Sequence, residues 1–62
     1  MCNIIPKILN EKKSKNIEEI RNDLKRNFKI EISEEAVDEI LGELEERNIA
    51  MQDNKGWLKI RP

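Results

Sequence analysis

The stretch Ser33-Glu34-Glu35-Ala36-Val37-Asp38-Glu39-Ile40-Leu41-Gly42-Glu43-Leu44-Glu45-Glu46-Arg47-Asn48 decides how this chain folds. Val37, Ile40, Leu41 and Leu44 recur at the i, i+3, i+4, i+7 spacing that lines one face of an α-helix with apolar side chains. Ser33 stands where a hydroxyl can accept a bond from the first free amides. Glu34 and Glu35 sit at the positive end of the helix dipole. Asn48 lies where the chain must leave the helix, and asparagine tolerates the left-handed conformation used at such exits. The spacing predicts a helix over 34–47.

The same logic extends upstream. Asn16, with Glu19 three residues later, has the pattern of a capping box. Behind it Ile17, Ile20, Leu24 and Phe28 form a second apolar stripe, which predicts a helix over about 17–27. Phe28-Lys29-Ile30-Glu31-Ile32 alternates apolar and charged residues over too short a run for a strand; it is an extended turn that drops Ile30 or Ile32 into the core. Further back, Ile4, Ile5, Ile8 and Leu9 share a helical face and predict a first helix over about 4–12. Asn3 can cap it, and Pro6 is tolerated in the first turn, where amides lack partners anyway. Lys12-Lys13-Ser14-Lys15 is a polar connection.

Downstream, Ile49-Ala50-Met51-Gln52 and Trp57-Leu58-Lys59-Ile60-Arg61 are strand-like, and Asp53-Asn54-Lys55-Gly56 supplies turn chemistry between them. A hairpin over about 49–61 follows. The sum is one α+β domain over residues 1–62, three helices and a C-terminal hairpin, with Ile8, Ile20, Leu24, Val37, Ile40, Leu41, Leu44 and Ile60 as its expected core. Charged residues make up 40% of the chain and the net charge is only −1. Disorder driven by low hydrophobicity needs a high net charge as well, so a compact domain with a very polar surface is the better reading.

The order of these elements resembles the winged helix-turn-helix family. A Ser-capped helix with the pattern V-x-x-I-L-x-x-L, then a helix exit, Ile49 and a hairpin carry that resemblance. Within the family, Val37-Asp38-Glu39-Ile40-Leu41-Gly42-Glu43-Leu44-Glu45-Glu46, then Ile49 and Gly56-Trp57-Leu58-Lys59-Ile60, is similar to the C-terminal winged helix of archaeal minichromosome maintenance helicases. Asn48 replaces the glycine common at the helix exit, and the helicase's ATPase motifs are absent. The resemblance implies a regulatory, DNA-binding or partner-binding module of a DNA-processing assembly.

Charge is segregated along the chain. Residues 1–32 carry eight basic and five acidic side chains, residues 33–48 one and seven, and residues 49–62 three and one. The helix that enters the major groove in most helix-turn-helix proteins is therefore the acidic one. Its face opposite the apolar stripe holds Glu35, Glu39, Gly42, Glu43 and Glu46, with Asp38 beside it. Against phosphates that face is repulsive, because neutralisation by Lys and Arg supplies much of the affinity for DNA. It suits a basic protein partner, or serves only as a solvated surface, or meets DNA through neutralised or rearranged carboxylates. In the hairpin, Trp57, Lys59 and Arg61 alternate with Leu58 and Ile60 and so share a face, with Lys55 in the turn. That set can make a weak contact with phosphate or a stacked base, unless Trp57 caps the core. Arg21, Lys25, Arg26 and Lys29 can extend such a basic patch, and a solvated surface is the alternative.

Catalytic chemistry has little to build on. With no histidine and one cysteine, the usual zinc spacings and Ser/His/Asp or Cys/His arrangements cannot form. Gly42 and Gly56 make no phosphate-cradling loop. The expectation is a non-enzyme with no cofactor, no metal and no small-molecule substrate. Cys2 alone cannot form an internal disulfide, and neither a secretory leader nor a membrane span is recognisable, so a reducing, cytoplasmic setting is expected. Three functions fit: an interaction module of a replication or transcription assembly, a stand-alone DNA-binding regulator, and a small acidic inhibitor of a nucleic-acid-binding protein.

Overall fold

Asn16 and Ser33 start the two long helices. In the computed structural model, which describes residues 4–60, the elements are α1 (Ile5–Ile8), α2 (Ile17–Phe28), α3 (Glu34–Glu46), β1 (Ala50–Asp53) and β2 (Gly56–Lys59). Cys2, Asn3 and Arg61 lie outside the described residues. At α2 the capping box is complete. The Glu19 amide donates to Asn16 Oδ1 at 2.8 Å, and the Asn16 amide donates to Glu19 Oε1 at 3.2 Å. At α3 the Ala36 amide donates to Ser33 Oγ at 3.1 Å. Each cap satisfies amides that the helix itself leaves without acceptors.

The exit of α3 is a Schellman motif. Asn48 takes φ 60°, the Ile49 amide donates to the Leu44 carbonyl at 2.8 Å, and the Asn48 amide donates to that of Glu45 at 3.1 Å. Lys29 makes a similar left-handed exit from α2 at φ 56°, and the Ile30 amide reaches the Leu24 carbonyl. This exit turns Ile30 and Ile32 inward, where both pack, half-buried, against the core. Phe28, assigned by spacing to the α2 stripe, is instead 40% exposed. It is the last residue of the helix, beyond the point where the core covers that face.

The first helix is shorter than its apolar spacing predicts: it ends at Ile8 rather than near Lys12. Leu9 is extended, and the Asn10 side chain accepts from the amides of Lys12 and Lys13 at 2.7 and 3.1 Å. Such local side-chain bonds compete with helix continuation. Lys15 completes the stop: its Nζ donates to the Ile8 carbonyl at 2.9 Å and pairs with Asp23 Oδ2 of α2 at 2.6 Å.

The hairpin is antiparallel, with Ala50 opposite Lys59, Met51 opposite Leu58, Gln52 opposite Trp57 and Asp53 opposite Gly56. The connection between α1 and α2 lies along the free side of β2. Lys15 and Trp57 exchange backbone hydrogen bonds at 3.0 and 2.7 Å, and the Lys59 amide donates to the Asn10 carbonyl at 3.0 Å. A stretch read from sequence as a plain connection thus ties the hairpin to the helices. The core comprises Ile5, Ile8, Leu9, Ile20, Leu24, Val37, Leu41, Leu44, Ala50 and Trp57. Ile40 and Ile60, expected there, are half-buried.

Candidate functional site

Because Val37, Leu41 and Leu44 are fully buried, the 3.6-residue period turns the rest of α3 outward. Glu34, Glu35, Asp38, Glu39, Glu43, Glu45 and Glu46 are all exposed. Among the described residues, no lysine or arginine lies within ion-pair distance of any of them; the pairs formed are Lys15–Asp23 and Lys25–Glu31. The last turn of α3 contains no basic residue, so its carboxylates crowd the negative end of the dipole, where Arg47 at the C-cap offsets them only in part. The acidic patch expected from sequence is therefore continuous along one helix.

Gly42 lies half-buried on this surface, and a Cβ built there meets nothing within 4 Å. The fold itself does not need a glycine at that position. Gly42→Ala is expected to raise stability by ~1 kcal/mol, the usual difference in helix propensity. The thermal midpoint would rise by about 4–8 °C for a domain of this size. A midpoint that falls would show that the helix is crowded at Gly42.

In the hairpin the structure decides between the two readings of Trp57 in favour of the core, against its place among the nucleic-acid contacts. Trp57 and Lys59 do share a face, but it is the face that also carries the buried Ala50, and Trp57 is only 4% exposed. Strand alternation fixes which residues go together; it does not say which side meets the helices. Trp57 is thus a core residue, and its ring is not available to stack on a base. Lys59 is half-buried, and Arg61 falls outside the described residues. Lys55 at the tip is exposed, and its amide and that of Gly56 donate to Asp53 Oδ1 at 2.8 and 3.0 Å. Ser14 donates to the other Asp53 oxygen. That hydroxyl, the two amides and the nearby Lys55 charge hold the Asp53 carboxyl below its ordinary range.

The basic residues of α2 are partly committed to structure. Arg21 Nε donates to the Ile32 carbonyl at 3.0 Å, and Lys25 sits 3.4 Å from Glu31. Sequence reasoning did not single out Lys15, whose bonds to Ile8 and Asp23 join three segments; its only signal was a lysine eight residues before an aspartate. Among the described residues no group of His, Cys, Asp or Glu converges as a metal site, and no helix is long and apolar enough to cross a membrane. Comparison of the chain with family models, curated proteins and solved structures finds no match.

Proposed function

We propose that this chain is a non-catalytic winged-helix interaction module that docks on a basic protein through the acidic face of α3. The observation that carries this reading is the row of exposed carboxylates, Glu35, Asp38, Glu39, Glu43 and Glu46, with no cation among the described residues paired to any of them. Solvated helices ordinarily mix signs and gain ~0.2–0.5 kcal/mol from each i, i+4 pair. This helix forgoes those pairs and accumulates repulsion that a basic surface relieves. Three helices, a hairpin and the Lys15–Trp57 bridge support the winged-helix assignment. The resemblance to the helicase tail suggests a DNA-processing assembly as the setting. DNA contact, where it occurs, is weak and rests on Lys55 at the wing tip.

Opposite fields accelerate encounter, and salt screens them over about 8–10 Å. Binding to the basic partner is therefore expected to weaken steeply as salt rises. Reversing Glu39 and Glu46 to lysine is expected to cut recovery of that partner about tenfold or more while leaving the thermal midpoint unchanged, since both side chains are exposed. Equal recovery with both proteins would reduce the patch to a solubilising surface. A gel shift on the same preparations separates protein docking from DNA binding by the wing.

A further inference from the structure

The two edges of the hairpin are treated differently. The edge of β2 is covered, because Trp57 and Lys59 direct their backbone groups to Lys15 and Asn10. On β1 the Ile60 amide donates to the Ile49 carbonyl at 2.8 Å, which makes Ile49–Ile60 a hydrogen-bonded pair. Antiparallel ladders alternate, so Met51–Leu58 is the next such pair, and Ala50 and Gln52 point their N–H and C=O groups away from β2. Among the described residues, no backbone group meets them there. No lysine, proline or bulge blunts this edge, as edge strands usually require.

The side chains add a second asymmetry. Ala50, Gln52, Trp57 and Lys59 share the face turned to the helices, which leaves Met51 and Leu58 on the opposite face, with Ile60 continuing the row. Met51 is 45% exposed, and Leu58 and Ile60 are half-buried without belonging to the residues packed on the core.

We propose that β1 pairs antiparallel with β1 of a second copy about a two-fold axis through Met51. In this register Ala50 stands opposite Gln52 of the second copy, and vice versa. The outward amides and carbonyls of both pairs are then satisfied reciprocally. Met51 faces its copy in a non-hydrogen-bonded pair, where side chains approach most closely. The apolar rows of Met51, Leu58 and Ile60 from the two chains become continuous. Asp53 stands opposite Ile49 of the second copy, so like charges do not meet in the ladder. Charge is complementary just outside it. The chain passes from α3 almost directly into β1, so Glu45, Glu46 and the negative helix end lie at the start of that strand. Antiparallel pairing brings the other copy's exposed Lys55, which has no ion-pair partner among the described residues, alongside them, and the C-cap Arg47 between helix and strand offsets only part of that negative charge. A two-fold arrangement closes on itself, so it yields a dimer and not a filament. The inference does not depend on what docks against the exposed face of α3.

Sedimentation of the full chain up to about 1 mM tests it, with a dimer dissociation constant below about 1 mM expected. Met51→Lys sets two like charges face to face on the axis and is expected to raise that constant at least about tenfold, with an unchanged circular dichroism spectrum. The register has its own test in a Cys2→Ser background. Met51→Cys places two thiols in the pair whose Cα atoms lie about 4.5 Å apart, within disulfide reach, whereas Gln52→Cys does not. Rapid oxidation to a covalent dimer by Met51→Cys and not by Gln52→Cys supports the pairing. A wild-type chain that stays at 7.4 kDa throughout overturns it. So does a dimer indifferent to Met51→Lys, or equal cross-linking by both cysteine variants.

Discussion

Gly56→Ala is expected to destabilise the fold by about 3–5 kcal/mol, through backbone strain and a steric clash acting together. Gly56 has φ +146°, a conformation that side-chain-bearing residues rarely adopt. A Cβ built there lies 2.4 Å from the Lys15 carbonyl oxygen, 2.5 Å from its carbon and 2.8 Å from the Asn16 nitrogen. Those atoms have little freedom to retreat. Lys15 is pinned to Trp57 by two backbone hydrogen bonds, and Asn16 is the N-cap of α2. Relief therefore requires detaching the hairpin from the helices or disturbing the capping box. A domain of this length has a total stability of only about 3–9 kcal/mol, so much of the population is expected to be unfolded at 25 °C. Thermal and urea melts followed by circular dichroism check this, with Gly42→Ala as the matched control in open space. A Gly56→Ala midpoint within about 2 °C of wild type would mean that the hairpin does not lie against Lys15 and Asn16 as described.

What could be read in the sequence is what is decided locally. Ser33, the Asn16–Glu19 pair and Asn48 act on amides and carbonyls within a few residues of themselves, so their side chains announced the helix ends. Helical phase placed the carboxylates of α3 outside, because Val37, Leu41 and Leu44 had to be inside. The misreadings share a different cause: they depend on which distant segment arrives. Helix α1 stops early because Asn10 and Lys15 are engaged elsewhere, Lys15 with Asp23 of α2 and Asn10 with Lys59 of the hairpin. No local signal marks residues 10–15 as a companion of β2. The same ignorance left the hairpin open between two readings, since the parity of Trp57 and Lys59 was legible and the side facing the helices was not. The acidic surface was thus recoverable from periodicity alone, and the face of the hairpin that packs on the helices was not.

Trp57→Ala separates these two readings of the hairpin. Trp57 is the sole tryptophan and one of the largest side chains in the core, and it is 4% exposed. Truncation removes its apolar contacts and leaves a cavity, a combination that costs about 3–5 kcal/mol at buried aromatic sites. Its backbone bonds to Lys15 survive in the variant, so the loss reports on the ring. Trp57→Phe keeps much of the volume and is expected to recover more than half of the stability. The wild-type protein supplies an internal check: its emission is expected to be blue-shifted when folded and to move red at the same midpoint as the circular dichroism signal. A ring used to stack on bases would behave otherwise. It would emit like exposed indole, lose ~1–3 kcal/mol of single-strand affinity on truncation, and leave the melt untouched. An unchanged melting midpoint in Trp57→Ala, together with weakened binding to single-stranded DNA, would return Trp57 to the surface and restore the hairpin as an aromatic contact for nucleic acid.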